Sequence, residues 1–217
     1  MYWGQNFGEG SIKDECGKYN YINIAFLTIF GNATTPALDL RHCNPTVGGC
    51  TYLGAEIKSC QTKGIKVFLS LGGPNGSYTL TSTEDAQQIA DYIWNNFLGG
   101  TSSSRPFGDA VLDGIDFYIK HGTTQHWDEL AQKLSNHGEQ AGSVNTTFFM
   151  GLPASPNAAE SGYLSPEVFN SQVQPAISRS SKYGGIMLWG VYYDPQYSSE
   201  VKPCAGVGKS CECKCAI

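Results

Sequence analysis

Residues 113–122 read DGIDFYIKHG, and the alternation within them decides the fold. Successive side chains of an extended strand point to opposite faces. Ile115, Phe117 and Ile119 therefore share one apolar face, suited to lie beneath helices, while Asp116, Tyr118 and Lys120 share a polar one. With the polar face turned inward, Lys120 stands nearest the open end of the strand.

Working outward, YINIAFLT (21–28), IKVFLSLG (65–72), FFMGLPA (148–154) and GIMLWGV (185–191) read as further buried strands, with YWG (2–4) as the stump of a sixth. Amphipathic segments separate them. In TSTEDAQQIADYIWNNFLGG (81–100), Ala86, Ile89, Ala90, Ile93 and Phe97 fall on one helical face between a Ser/Thr cap and Gly99. Trp127, Leu130, Ala131 and Leu134 repeat the spacing up to Gly138. SPEVFNSQVQPAI (165–177) starts a helix with a proline suited to the first turn, and Pro175 is expected to end or kink it. Alternating strands and helices give an α/β class with a parallel sheet. No G-x-G-x-x-G follows a strand, and SLGG and DFYIK place glycine or polar residues at strand carboxyl ends. A TIM-type (β/α) barrel is therefore preferred over a doubly wound sheet.

The chain has 217 residues, 41% hydrophobic and 15% charged, enough for one substantial core. A net charge of -5 without a Lys/Arg run argues against nucleic acid or an acidic membrane surface as partner. The apolar runs, such as 22–30, fall far short of the ~20 residues that span a bilayer. Eight cysteines point to an oxidising compartment, hence a secreted or vacuolar protein. No leader is read at the Met1-Tyr2-Trp3-Gly4 start, so a leader is expected to lie outside this sequence. N-x-[ST] sequons at Asn32, Asn75 and Asn145 accord with that compartment. His42, His121, His126 and His137 show no ligand spacing, and neither a metal nor a cofactor is expected.

The motifs YWGQN, YINIAFL, HCNP..GGC, IKVFLSLGG, WNNFLGG..SSRP.GDAVLDGIDF, GLPA.P.AA.SGY and KYGGIMLW occur in order over residues 2 to about 194. In this the chain closely resembles the plant class III chitinases, the hevamine-like branch of glycoside hydrolase family 18. The resemblance implies an eight-stranded barrel with D-G-x-D-x-D-x-E at the end of the fourth strand. There the final Glu protonates the glycosidic oxygen, and the preceding Asp orients the substrate's own acetamido group as nucleophile, an exception to the two-carboxylate scheme. Asp113 and Asp116 match this signature, but Tyr118 replaces the orienting Asp and Lys120 the acid.

A positioned acid contributes about 100- to 10,000-fold in rate, and an ammonium with a reference pKa near ~10.4 is a poor proton donor at neutral pH. A cation ~4 Å from the developing positive charge on the sugar would oppose it by roughly 4 kcal/mol at an effective dielectric near 20. Asp116, about 13 Å back along the strand from Lys120 at ~3.3 Å per residue, is too deep to substitute. The catalytic set is thus read as degenerate, with Asp116, Tyr118 and Lys120 forming a polar plug in the old cleft.

The resemblance also assigns Tyr2, Gln5, Asp39, Gly73 and Trp189 to the sugar groove, with Asp39 standing where the family carries Asn. Trp189 would offer a ring for a sugar to stack on, and the glycines of SLGG would let backbone approach the sugar. The family's pattern implies disulfides Cys16 with Cys60 and Cys43 with Cys50, and non-proline cis peptides at Ala25-Phe26 and Trp189-Gly190. Compared with the family, several tens of residues are missing between about Gln140 and Phe148, removing the fifth and sixth strand units. Deleting two strands exposes edges beside GIDFYI and FFMGLPA, which are expected to pair with each other or to mediate self-association.

The domain reading is a shortened barrel over 1–194 followed by a divergent cysteine-rich tail over 195–217. In that tail Cys204, Cys211, Cys213 and Cys215 suit a disulfide, a metal or intermolecular links, as well as a splice or reading-frame change. The functional expectation is a non-hydrolytic chitin- or N-acetylglucosamine-binding, defence-related protein with chito-oligosaccharides as ligands. The alternatives are an inhibitor that binds other glycoside hydrolases (a xylanase or an amylase) and a weak endochitinase.

Overall fold

A computed structural model describes residues 1–8, 10–17, 20–120, 122–141, 148–153, 155–158, 163–177, 183–189 and 197–201. They divide into two compact units, Tyr2–Val144, and Asn145–Ile217 together with Met1.

The first unit runs β1 (Tyr2–Trp3), α1 (Ile12–Glu15), β2 (Tyr21–Gly31), β3 (Thr34–Leu38), a 3-10 turn (Pro45–Val47), α2 (Leu53–Thr62), β4 (Lys66–Gly72), β5 (Ser77–Tyr78), α3 (Thr83–Phe97), β6 (Gly114–Tyr118) and α4 (Trp127–Gln140). Its sheet is ordered β1-β2-β4-β6, with each neighbouring pair parallel. A helix lies between each pair in the chain. Strand order that follows chain order is the winding of a (β/α) barrel; a doubly wound sheet reverses direction at a switch point. The short β3 and β5, which strand periodicity did not signal, both pair with β2, the first antiparallel through the hairpin at Gly31–Thr34.

One face of the parallel sheet supplies in-register pairs to the core, Ile22 with Val67, Ile24 with Leu69 and Leu27 with Leu71. Ile22, Ile24 and Leu27 of β2 and Val67, Leu69 and Leu71 of β4 are fully buried, each stabilising by about 1.5–3 kcal/mol relative to exposure. The expected stripe on α3, Ala86, Ile89, Ala90, Ile93 and Phe97, is buried throughout. Its cap is Ser82, whose hydroxyl accepts a hydrogen bond from Asp85 N at 3.1 Å, satisfying one of the helix's unpaired donors. Phe117 turns to the helix side of β6 and meets Trp127 of α4 edge-on, ring centroids 6.4 Å apart. The pairs Cys16–Cys60 and Cys43–Cys50 are both bonded, and Ala25-Phe26 is cis. Trp189-Gly190, His121 and the four tail cysteines lie outside the described residues.

In the second unit β7 (Phe148–Pro153) and β8 (Tyr183–Trp189) are parallel. Between them come α5 (Pro166–Val168), a π-helical turn (Phe169–Val173) and α6 (Gln174–Ile177), with α7 (Tyr197–Glu200) following β8. Pro175 was expected to end or kink this helix; the turn immediately before it is widened to π geometry, which relieves the clash between the proline ring and the preceding turn's carbonyl. Leu152, Phe169, Ile186, Tyr197 and Val201 form this unit's buried cluster. Strand β6 is laddered to β4 in the first unit, and β7 to β8 in the second.

Candidate functional site

Register builds the site. Ser70 of β4 lies beside Ala25 of β2 on one side and Asp116 of β6 on the other, and Gly72 lies beside Tyr118. Tyr2, from β1, reaches the same place: its hydroxyl donates to Asp116 Oδ2 at 2.8 Å, and the Ser70 hydroxyl donates to the same oxygen at 2.6 Å. Burial pushes the Asp116 carboxyl above its ordinary pKa, and the two hydroxyl donors pull part of the way back. The Tyr2 phenol is raised as well, first by burial and then by the neighbouring Asp116.

A raised folded pKa means that the native chain holds its proton at pH values where the unfolded chain has released it. Asp116 thus costs stability as pH climbs from about 4 through its raised pKa. Asp116→Asn removes that titration while keeping an acceptor for Tyr2. Urea unfolding should show the variant gaining on the wild type as pH rises above about 4; parallel stability curves would refute a raised Asp116 carboxyl.

Tyr118 is buried, its ring 5.2 Å from Phe26 and edge-on to Tyr2 at 5.7 Å. Its phenol is pushed up to about 12, first by burial and then by Tyr78 and Asp116, so it stays protonated at neutral pH and carries none of the charge of a carboxylate. Lys120 lies two residues past the last paired residue of β6 and is exposed, with Nζ 5.5 Å from the centre of the Tyr118 ring. The polar plug read from the sequence is therefore corrected. The filling is aromatic (Tyr2, Phe26, Tyr118), and Lys120, itself exposed, reaches over the Tyr118 ring.

Asp113 sits at the opposite end of β6. It accepts from Lys66 Nζ (2.7 Å), Gln61 Nε2 (2.8 Å) and Val67 N (3.0 Å), which makes it a clamp between the starts of β4 and β6. Gln5 donates from Nε2 to the carbonyls of Ala25 and Asp39, each at 2.8 Å. Asp39 exchanges backbone hydrogen bonds with Phe26 and keeps a half-exposed carboxylate 3.9 Å from Arg41 Nε. Gly73 has φ +96°, and a Cβ there would come within 2.9 Å of the Phe26 ring. Its bareness thus permits a close approach to the protein's own aromatic ring.

Tyr78 was not anticipated. Its hydroxyl donates to Gly73 O at 2.9 Å and accepts from Lys120 N at 3.0 Å, joining the turn after β4 to the segment after β6. Nothing local signals this, because Tyr78 and Lys120 are 42 positions apart. Tyr2, Gln5, Asp39, Gly73, Asp116, Tyr118 and Lys120 all belong to the first unit, whereas Trp189 closes β8 in the second.

Comparison with known proteins places these features in context. The model of the glycosyl hydrolases family 18 matches residues 1–172. An acidic endochitinase of Arabidopsis thaliana is 43% identical over an alignment of 265 positions that covers 93% of this chain and 88% of that protein. That alignment exceeds the 217 residues of the chain, so the relative carries tens of residues without a counterpart here. Among solved structures, a chitinase from Ipomoea carnea is 40% identical with TM-score 0.73, covering 94% of this chain and 98% of that one. A xylanase and α-amylase inhibitor protein from Scadoxus multiflorus is 36% identical with TM-score 0.67 (93% and 96% covered). A tamarind chitinase-like lectin is 26% identical with TM-score 0.57 (93% and 98% covered).

Proposed function

Because the chain belongs to glycosyl hydrolases family 18 and has the family's TIM-type α/β fold in shortened form, we propose that it serves as a non-hydrolytic, chito-oligosaccharide-binding protein of plant defence. One observation carries this reading. Where the family's signature ends in a carboxylate pair, this chain has a buried tyrosine followed by an exposed lysine, and the next carboxylate back along β6, Asp116, is held by the hydroxyls of Tyr2 and Ser70. This supports the reading that the proton donor and the orienting carboxylate implied by the resemblance are replaced at the end of β6.

Sugar binding is assigned to the groove positions of the first unit, Tyr2, Gln5, Asp39 and Gly73, and the resemblance separately implies Trp189, in the second unit, as a ring for a sugar to stack on. Titration calorimetry with chito-oligosaccharides should give saturable binding that Trp189→Ala weakens about tenfold, the worth of one stacked ring. Binding unchanged in a folded Trp189→Ala chain would remove Trp189 from the site.

A second reading, inhibition of another glycoside hydrolase, is favoured by a different observation. Phe7 and Val47 are 79% and 76% exposed on loops of the first unit, and Tyr52 is half exposed, the type of apolar anchor that partner proteins bury. The inhibitor from Scadoxus multiflorus supports it by likeness. Absence of sugar heats together with tight binding of a xylanase or amylase in the same calorimetric series would favour this reading over the first. We further place the chain in the secretory pathway or vacuole, supported by its two bonded cysteine pairs; among the described residues no helix is long and apolar enough to cross a membrane. Self-association through strand edges belongs to the same proposal.

A further inference from the structure

Asn32, Ala33 and Thr34 form the tip of the hairpin joining β2 to β3, where Gly31 pairs with Thr34 across a two-residue turn. Asn32 and Ala33 both take left-handed backbone conformations (φ 49° and 58°), those of a type I′ turn. The turn is fixed through its backbone: Asn32 N donates to Asp85 Oδ2 at 2.8 Å, and Thr34 Oγ1 donates to Gly31 O. All three residues are exposed, and the Asn32 side-chain amide makes no hydrogen bond among the described residues. An acceptor amide is thus held outward on a rigid tip, in the N-x-T context that N-glycosylation requires.

We propose that Asn32 carries an N-linked glycan. The donor would be a lipid-pyrophosphate-linked oligosaccharide, delivered by the membrane transferase of the secretory pathway while the chain is still unfolded. The bond between the sugar's anomeric carbon and the pyrophosphate oxygen breaks, and the lipid pyrophosphate leaves with the electron pair. The anomeric carbon bonds to Asn32 Nδ2, which gives up one proton. Folding then places the glycan on the hairpin tip, where it displaces no contact of the folded chain, because the amide it modifies makes none.

Asn75 is the built-in comparison. It is also exposed in a turn, but it lies two residues from Gly73, and the Gly76 inside its sequon is packed so closely that a Cβ would come within 2.6 Å of Thr28 O and the Tyr78 ring. The inference rests on the secretory compartment proposed above and is independent of the sugar-binding reading.

The test is glycopeptide mapping of the full chain, expressed behind a secretion leader in plant cells so that the route is imposed. The peptide containing Asn32 should carry glycan and show an Asn-to-Asp mass change after amidase release. Thr34→Ala, which keeps the asparagine but loses the Oγ1 bond to Gly31 O, should abolish that change, and Thr34→Ser, which keeps both the hydroxyl and the sequon, should retain it. An unmodified Asn32 in the secreted wild-type chain, or glycan at Asn75 alone, would overturn the proposal. Fractionation of the native protein tests the compartment separately, so a failure of that reading is distinguishable from a failure of the site.

Discussion

Chito-oligosaccharides incubated with the purified chain are expected to remain intact, at a rate about 100- to 10,000-fold below that of a relative with an intact signature, from loss of the acid alone. In the proposed reading, cleavage needs a proton delivered to the leaving oxygen, and Lys120 stands at the position that the resemblance assigns to the proton donor. Charge repulsion is the smaller part of the defect. Lys120 is exposed, so its effect on a nearby cationic transition state falls toward the ~1 kcal/mol of bulk water from the roughly 4 kcal/mol expected of a half-buried cation. In that reading the larger part is the loss of the proton donor and, with it, of the orienting carboxylate. Tyr118, held protonated with its pKa pushed up to about 12, cannot supply the negative charge that the acetamido nucleophile requires. Lys120→Glu alone should therefore restore little, because Tyr118 still fills the space between Phe26 and Tyr2. Thin-layer or mass-spectrometric assay of the products checks both expectations, and rapid turnover by the wild-type chain would defeat them.

Arg105→Ala is expected to destabilise the first unit by about 3 kcal/mol, the order expected when several hydrogen bonds to a charged group are lost together. Its guanidinium organises the whole loop between α3 and β6. Nη1 donates to the carbonyls of Asn95 (2.7 Å) and Gly100 (3.2 Å), Nη2 to Leu98 (2.9 Å) and Ala110 (2.8 Å), and Nε to Gly108 (3.2 Å). Removing it leaves five carbonyls to find other partners in a loop whose neighbours Phe97, Phe107 and Ala110 are buried. The melting temperature should fall by roughly 6 to 12 °C. Arg105→Lys should fall between the two, since a single ammonium cannot reproduce a planar fork of five donors. A melting curve unchanged by Arg105→Ala would show that water replaces these bonds without cost. Because the same loop leads into β6, loosening it should also broaden signals from Tyr118 and Phe117.

Elements with a long, regular period were legible in the sequence. The α3 stripe from Ala86 to Phe97 and the parallel strands around Ile24, Leu69 and Phe117 needed only periodicity and caps to be found. Helix α2 was missed because Gly54 near its start looks like a helix breaker; the structure shows a packing requirement, since a Cβ there would come within 2.4 Å of Phe107 O. The β2–β3 hairpin was missed because Asn32-Ala33 is a weak turn signal beside Asn-Gly.

At the site, the order Asp116, Tyr118, Lys120 and their shared face were visible in DGIDFYIKHG. Their environments were not, because these depend on long-range register. Asp116 meets Tyr2 from 114 positions away and Ser70 from 46, and the link from Tyr78 to Lys120 exists only once β4 and β6 are adjacent. The sequence distinguishes a polar face from an apolar one, but not whether a tyrosine on it will point to solvent or pack on a phenylalanine.

The most direct test is one sample measured twice: titration calorimetry of a chito-oligosaccharide into the wild-type chain, followed by mass spectrometry of the recovered sugar. The account predicts a saturable heat of binding and a sugar returned at its original length. Shortened sugar, accumulating in proportion to protein and time, would contradict it.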